Sequence, residues 1–410
     1  MVFLYTLGIR IYFILVKIAS PFNPKAKQWL NGRKDLFNRL EAAVGIGNRI
    51  AWFHCASLGE FEQGRPVIEA FKERNPDFKI LITFFSPSGY EVRKNYSGAD
   101  FIFYLPLDTW NNARRFVRIV NPEVVFFVKY EFWYFMLNRL RQEEIKTYLI
   151  STIFRPNQIF FKRYGLWYRR MLRCFTHLFV QNRQSEQLLL SIGYSNVTIS
   201  GDTRFDRVFQ IASQAKNIQE ISTFKNGEMT LVCGSSWPKD EELLAAWYKN
   251  SCSKIKLVIA PHEIGEEHVQ RIIQLFDGIK VARYTQADDY DLASCRVLII
   301  DTIGILSSAY RYGELAYIGG GFGTGIHNTL EAATWGIPVV FGPKHQKFKE
   351  ATDLIRGGGG FSVSSLDELT QILNALICDS TKLKLGAQFA REYVDVKRGA
   401  TQTILSAVCK

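Results

Sequence analysis

The sequence predicts an α/β chain built on two doubly wound parallel sheets. Short apolar runs alternate with polar stretches of helical length along nearly the whole chain, the pattern of βα units whose strands are buried on both faces. At 410 residues the chain exceeds what one hydrophobic core usually supports, so two domains follow. A third observation is the glycine-rich stretch from Gly319 to Pro343, which directly follows an apolar run late in the chain and so belongs to the second of them.

The elements are read in order. Residues Met1 to Phe22 are mostly apolar, but Arg10 and Lys17 lie seven apart and share one helical face, so this segment is an amphipathic helix. It lacks the charge placement and the cleavage site of a secretory signal and is expected to remain on the chain. With Lys25, Lys27, Arg33 and Lys34 following, it suits a membrane surface, as a helix in the interface or a short anchor; packing on the protein body is the alternative. The first half then offers strands at 50–54, 79–83, 101–104, 124–128, 147–150 and 178–180. The second offers them at 230–233, 256–260, 297–300, 315–318 and 338–341. The boundary is expected between Gly201 and Lys225, where strand character lapses. One last helix, about Thr381 to Cys409, is expected to return to the first half. Two such sheets would face a central cleft with the carboxyl ends of their strands, where ligands of open α/β folds bind.

Composition narrows the class. Apolar residues make up 47% and charged ones 22%, which excludes a disordered or low-complexity chain. The net charge of +12 favours a polyanionic partner without choosing among nucleic acid, phosphorylated lipid and anionic membrane. Seven cysteines, Cys55, Cys174, Cys233, Cys252, Cys295, Cys378 and Cys409, are scattered with no CxxC pair. They read as small buried hydrophobes in a reducing compartment.

Chemistry concentrates in two stretches. In Gly319 to Pro343 the glycines allow close approach of a phosphate. His327 and Asn328 follow at the start of a helix, TLEAATWG, that carries Glu331 in its first turn, where a carboxylate is placed to grip ribose hydroxyls. The order of elements excludes a dinucleotide fingerprint, and no Walker loop is present. The second stretch, FHCASLGEFEQGR at 53–65, follows the first strand of the body. Glu60, on its strand-to-helix loop, is placed to deprotonate a hydroxyl, with Glu62 as competitor. Glu131, in KYEFW after a strand, is read either as orienting Glu60 or the acceptor, or as a structural acid paired with Lys129 or a nearby arginine. His262 and His268 lack the neighbours of a zinc site. Arg155, Lys162, Arg163, Arg169, Arg170 and Arg173 interleave with Phe160, Phe161, Tyr164, Trp167 and Tyr168, either a patch for a charged, acylated ligand or a solvated helix face.

These residues resemble a known family, the Kdo (3-deoxy-D-manno-octulosonic acid) transferases of lipopolysaccharide biosynthesis. The resemblance runs over almost the whole body: ASLGE at 56–60, SPSGYE at 86–91, YLPLD at 104–108, KYEFW at 129–133, QNRQSE at 181–186, GDTRFDR at 201–207, CGSSW at 233–237, APHE at 260–263, DTIG at 301–304 and the Gly319 to Pro343 block.

The resemblance implies a GT-B glycosyltransferase with an N-terminal membrane-associating helix over 1–22. An acceptor-binding Rossmann-like domain would cover 23–205, a nucleotide-sugar-binding one 206–380, and a C-terminal helix 381–410. It implies CMP-Kdo as donor, a lipid A precursor of the lipid IVA type as acceptor, inversion at the anomeric carbon without a metal or other cofactor, and a place on the cytoplasmic side of the inner membrane with no nucleic acid partner. The family's base falls on Glu60 and its transition-state groups on Glu131 and Arg204. CMP contacts fall on Pro261 and His262, on Ile303, Gly304 and Ile305, and on Asn328, Thr329, Leu330 and Glu331. Arg204 departs from the usual lysine, keeping the charge but changing its geometry. Ile305 departs from a common glutamate, so its contact would be through the backbone. Arg204, His327 and the helix start at Asn328 would together offset charge on the departing CMP. Two competing readings are a GT-B enzyme with a UDP-sugar donor and a basic adaptor on an inactive transferase scaffold.

Overall fold

The computed structural model describes residues 1–45, 47–251 and 255–409; Cys252 lies outside them. The chain divides into two compact units, residues 1–207 with 398–410, and residues 208–397.

The first unit holds a seven-stranded parallel sheet: β1 (Arg49–Cys55), β2 (Phe78–Phe84), β3 (Phe101–Tyr104), β4 (Pro122–Val128), β5 (Lys146–Thr152), β6 (His177–Val180) and β7 (Val197–Ile199). Their spatial order is β3-β2-β1-β4-β5-β6-β7. Alternation sorts the side chains onto two faces. Ile50, Trp52, Leu81, Val125 and Phe127 enter one core, and Ala51, Phe53, Ile80, Ile82 and Phe126 the other. The order reverses between β1 and β4, which opens a crevice beyond their carboxyl ends. Both segments that carry candidate acids, 56–60 and 129–133, leave the sheet there.

The second unit repeats the plan with β8 (Thr230–Ser236), β9 (Lys256–Pro261), β10 (Val281–Arg283), β11 (Val297–Ile299), β12 (Leu315–Ile318), β13 (Val339–Phe341) and β14 (Gly360–Ser362), in the order β10-β11-β9-β8-β12-β13-β14. Here the reversal lies between β8 and β12, and the glycine-rich stretch leaves the sheet at that point.

Three strands, β7, β10 and β14, go beyond the sequence expectation. Each has three residues, too short to show a period, and each borders only one neighbouring strand. The expected single C-terminal helix is two, Ser380–Val396 and Ala400–Val408. Gly399, at φ 106°, breaks the run in a conformation that side chains disfavour. Asp206 then accepts hydrogen bonds from the Gly399 and Thr401 N–H groups, both 2.7 Å, and so caps the final helix.

The first helix, Val2–Ala19, is long and apolar enough to cross a membrane by length and composition. None of its residues is buried, yet it is anchored along one side. The Tyr5 hydroxyl donates to buried Asp108 at 2.6 Å, and its ring packs on Tyr134, Phe135 and Trp167. Tyr12 packs on Trp29 and Phe85. The tyrosines therefore belong to the body-facing side. Phe3, Leu4, Leu7, Ile11, Ile14, Leu15 and Ile18 remain exposed.

Candidate functional site

In the first unit the site grows from the ends of β1 and β4. Ser57 caps the helix Leu58–Arg74, accepting from the Glu60 N–H, and the Glu60 carboxylate returns to accept from the Ala56 N–H at 2.6 Å. Glu60 thus lies in the first helical turn, one step beyond the expected loop, because the cap starts the helix at Leu58. Burial raises its pKa to about 7, helped by the negative charge of Glu131 and opposed by the Ala56 N–H and Lys129.

Glu131 is buried. Its Oε2 lies 3.0 Å from His54 Nε2 and accepts from the Trp133 indole N–H at 2.7 Å, so two ring nitrogens stand where the alternative reading, a structural acid, placed Lys129 or an arginine. Arg204 donates through Nε and Nη2 to Asp202 Oδ2, at 2.9 and 2.8 Å. Burial lowers the pKa of Lys129, and the Arg204 charge adds to the effect, while Glu60 and Asp202 oppose it. Glu60 and Arg204 therefore both act on Lys129, and Glu131 acts on Glu60. Lys129 and Ser151, at the ends of β4 and β5, hold left-handed backbone at φ 65° and 57°, a conformation costing a non-glycine residue about 1–3 kcal/mol.

In the second unit a buried carboxylate organises the glycine-rich stretch. Asp240 accepts from the Gly320 N–H at 2.9 Å, the Trp237 N–H at 3.0 Å and the Tyr317 hydroxyl at 2.8 Å. A Cβ at Gly319 would strike the Ser235 carbonyl, and one at Gly321 the backbone of Gly342; the glycines let three backbone segments meet. Ser235 is left-handed as well, at φ 53°. The rings of Trp237 and His327 both stack on His262, with centroids 4.6 Å away in each case, and lie 6.5 Å from each other. The Trp237 N–H donates to His327 Nε2 at 3.0 Å. Burial lowers the pKa of His327, and the neighbouring His262 adds to it. His327 Nε2 therefore accepts, and the ring offers Nδ1–H.

Next to this stack, Glu331 accepts from Ser307 Oγ at 2.9 Å and from Asn328 Nδ2 at 3.0 Å. The helix carrying it, Leu330–Ala333, has only four residues, so it contributes little dipole at Asn328. The Leu330 side chain is in the core and offers a ligand only its backbone. The Thr329 hydroxyl is buried and has no hydrogen-bond partner among the described residues. Pro261 ends β9, and the His262 N–H is held by the Ser236 carbonyl at 2.9 Å. Ile303 is 80% exposed, Gly304 is left-handed at φ 95°, and the Ile305 carbonyl receives the Ser308 and Ala309 N–H groups. Trp335 donates to the Ser307 carbonyl, tying the 303–309 segment to the Glu331 helix.

His268 pairs with Glu241, which also accepts from Ser236. The basic aromatic segment at 155–173 is partly core: Phe160 and Trp167 are buried, and Arg169 donates to the carbonyls of Phe160 and Lys162. Tyr164 and Leu166 are exposed. Sequence reasoning did not single out His54, Thr83, Trp133, Trp237 or Asp240. A polar residue inside an otherwise apolar strand, as His54 is in β1, was the available signal.

Two parallel seven-stranded sheets, each with candidate side chains at its reversal point, define the GT-B class of glycosyltransferase folds. Solved structures of that shape include the UDP-GlcNAc 2-epimerase of Neisseria meningitidis (TM-score 0.62, 15% identity, 88% of this chain and 99% of that one) and MurG of Acinetobacter baumannii (TM-score 0.55, 14%, 88% and 99%). Residues 31–207 match the family model of the 3-deoxy-D-manno-octulosonic-acid transferases (kdotransferases), and the relatives that share it support a glycosyltransferase. Relatives named 3-deoxy-D-manno-octulosonic acid transferase include proteins of Aquifex aeolicus (26% identical, covering 82% of this chain and 88% of the relative), Chlamydia trachomatis serovar D (28%, 79% and 78%) and Rickettsia bellii (22%, 100% and 98%).

Proposed function

We propose that the protein transfers Kdo from CMP-Kdo to a lipid A precursor of the lipid IVA type, with inversion and without a metal, at the cytoplasmic face of the inner membrane. The observation that carries this reading is the Glu60–Glu131 pair. Glu60, raised to about 7, is poised between ionised and neutral near physiological pH, where a general base is most effective. It takes the proton of the acceptor hydroxyl as that oxygen bonds to the anomeric carbon. The bond from that carbon to the CMP phosphate oxygen breaks on the opposite side, and CMP leaves with the electron pair. Arg204, steadied by Asp202, supplies positive charge, and Glu131 holds the field around the base. In the second unit, Glu331, preset by Ser307 and Asn328, suits ribose hydroxyls, and the glycine-rich stretch suits a phosphate. The outward apolar side of the first helix supports the membrane location.

Incubation of the purified protein with a tetraacylated lipid A precursor and CMP-Kdo generated in situ, followed by mass analysis of the lipid, tests the reaction. Lipid gaining the mass of Kdo is expected; transfer only from a UDP-sugar in a parallel donor screen sinks the donor assignment. Glu60→Gln should cut turnover by about 10²- to 10⁴-fold while CMP binding persists. Wild-type turnover by that variant removes Glu60 as the base.

A further inference from the structure

The first unit contains a buried run of hydrogen bonds that the reaction as described does not use. In β1 and β2, His54 stands directly opposite Thr83, and Trp52, two residues earlier, lies on the same face. The Trp52 indole N–H donates to Thr83 Oγ1 at 2.7 Å. Thr83 Oγ1 is 2.8 Å from His54 Nδ1, and His54 Nε2 is 3.0 Å from Glu131 Oε2. Trp52, Thr83 and His54 are fully buried, so no water competes for these atoms.

The direction of the run follows from its first donor. An indole N–H can only donate, so it occupies one lone pair of the Thr83 oxygen; the buried hydroxyl hydrogen still needs an acceptor, and the one within reach among the described residues is His54 Nδ1. His54 then carries its proton on Nε2 and donates it to Glu131. The Trp133 N–H can reach either His54 Nε2, at 3.2 Å, or Glu131 Oε2, at 2.7 Å; the shorter, charge-assisted bond to the carboxylate takes it and leaves Nε2 free to carry its proton. The competing arrangement puts a proton on Nδ1 toward the Thr83 carbonyl, 3.1 Å away. Either a bare Nε2 then faces Glu131, which must be protonated, or the ring becomes a cation.

We propose that Trp52 and Thr83 set the tautomer of His54, and that His54 is thereby a positioning residue that keeps Glu131 a hydrogen-bonded anion beside Glu60. Both competing arrangements add one proton to the His54–Glu131 pair and cancel its negative charge. The base would then lose the second of the two influences that raise it. The other charged groups around Glu60 are accounted for. Lys129 opposes the rise, Glu62 is held by Arg93 and contacts Arg207, Tyr130 lies near Arg155, and the Cys55 thiol is pushed well up by burial.

The inference rests on Glu60 as base, and two readouts separate the claims. Nitrogen-15 NMR of histidine-labelled protein should show His54 protonated at Nε2 and bare at Nδ1. A proton on Nδ1 overturns the relay whatever Glu60 does. In the transfer assay, Thr83→Val should move the acid limb of kcat/KM downward by roughly one to two pH units relative to wild type, and Thr83→Ser should restore it. An unmoved limb in Thr83→Val overturns the proposal. Should Thr83→Val fail to fold, the nitrogen-15 measurement decides the tautomer, and Glu131→Gln tests the charge step alone: its limb must fall, and a limb at the wild-type position overturns the idea. Retained turnover in Glu60→Gln would sink the base assignment but leave the tautomer measurement to decide the relay.

Discussion

Glu60 ties catalysis to proton balance. Because burial raises it to about 7, transfer should fall as the pH drops through 7, where the base becomes protonated. Stability runs the other way: a carboxyl raised on folding contributes stability below its unfolded pKa and loses it as the pH climbs through 7. Glu60→Gln should therefore melt higher than wild type at pH 8 and show no such gain at pH 4, compared by thermal unfolding at the two pH values. On the donor side, Glu331→Ala should weaken CMP binding about tenfold or more, since Asn328 and Ser307 lose their shared acceptor; unchanged affinity by calorimetry would argue against the ribose role. The acids themselves were legible in the sequence because each stands in a recognisable short stretch. His54 and Asp240 were not, since their meaning comes from partners far along the chain, Thr83 and Glu131 for one, Tyr317 and Gly320 for the other.

Elements explain what the sequence could and could not forecast. Eleven strands announced themselves as apolar runs between polar ones, and the register of β1 against β2 and β4 then set which side chains share a face. The three-residue edge strands had no such run, and the C-terminal break depended on Gly399 meeting the distant Asp206. That cap is open to test. Asp206→Ala should destabilise the helix Ala400–Val408 by about 1–2 kcal/mol, seen as faster hydrogen exchange from Ala400 onward. Exchange matching wild type would show that packing on the helix Leu58–Arg74 suffices. The first helix, in contrast, was half legible. Its apolar length shows in the sequence, but Tyr5 docks on Asp108 only because strand β3 and its following loop bring Asp108 there.

At the scale of the whole molecule, a net charge of +12 and the bare side of the first helix act together. Flotation with anionic vesicles should show binding that weakens with salt yet does not vanish. The double variant Leu7→Glu, Ile11→Glu should lose the salt-resistant part; vesicle binding equal to wild type would place the contact elsewhere. Both sheets also end in kinship at Lys129, Ser151 and Ser235, each a non-glycine residue in left-handed backbone at the tip of a central strand. A chain selected in the laboratory only for heat tolerance would gain by placing glycine at these tips. The protein has not taken that path, and a screen for thermal survival that ignores turnover should find those three codons first.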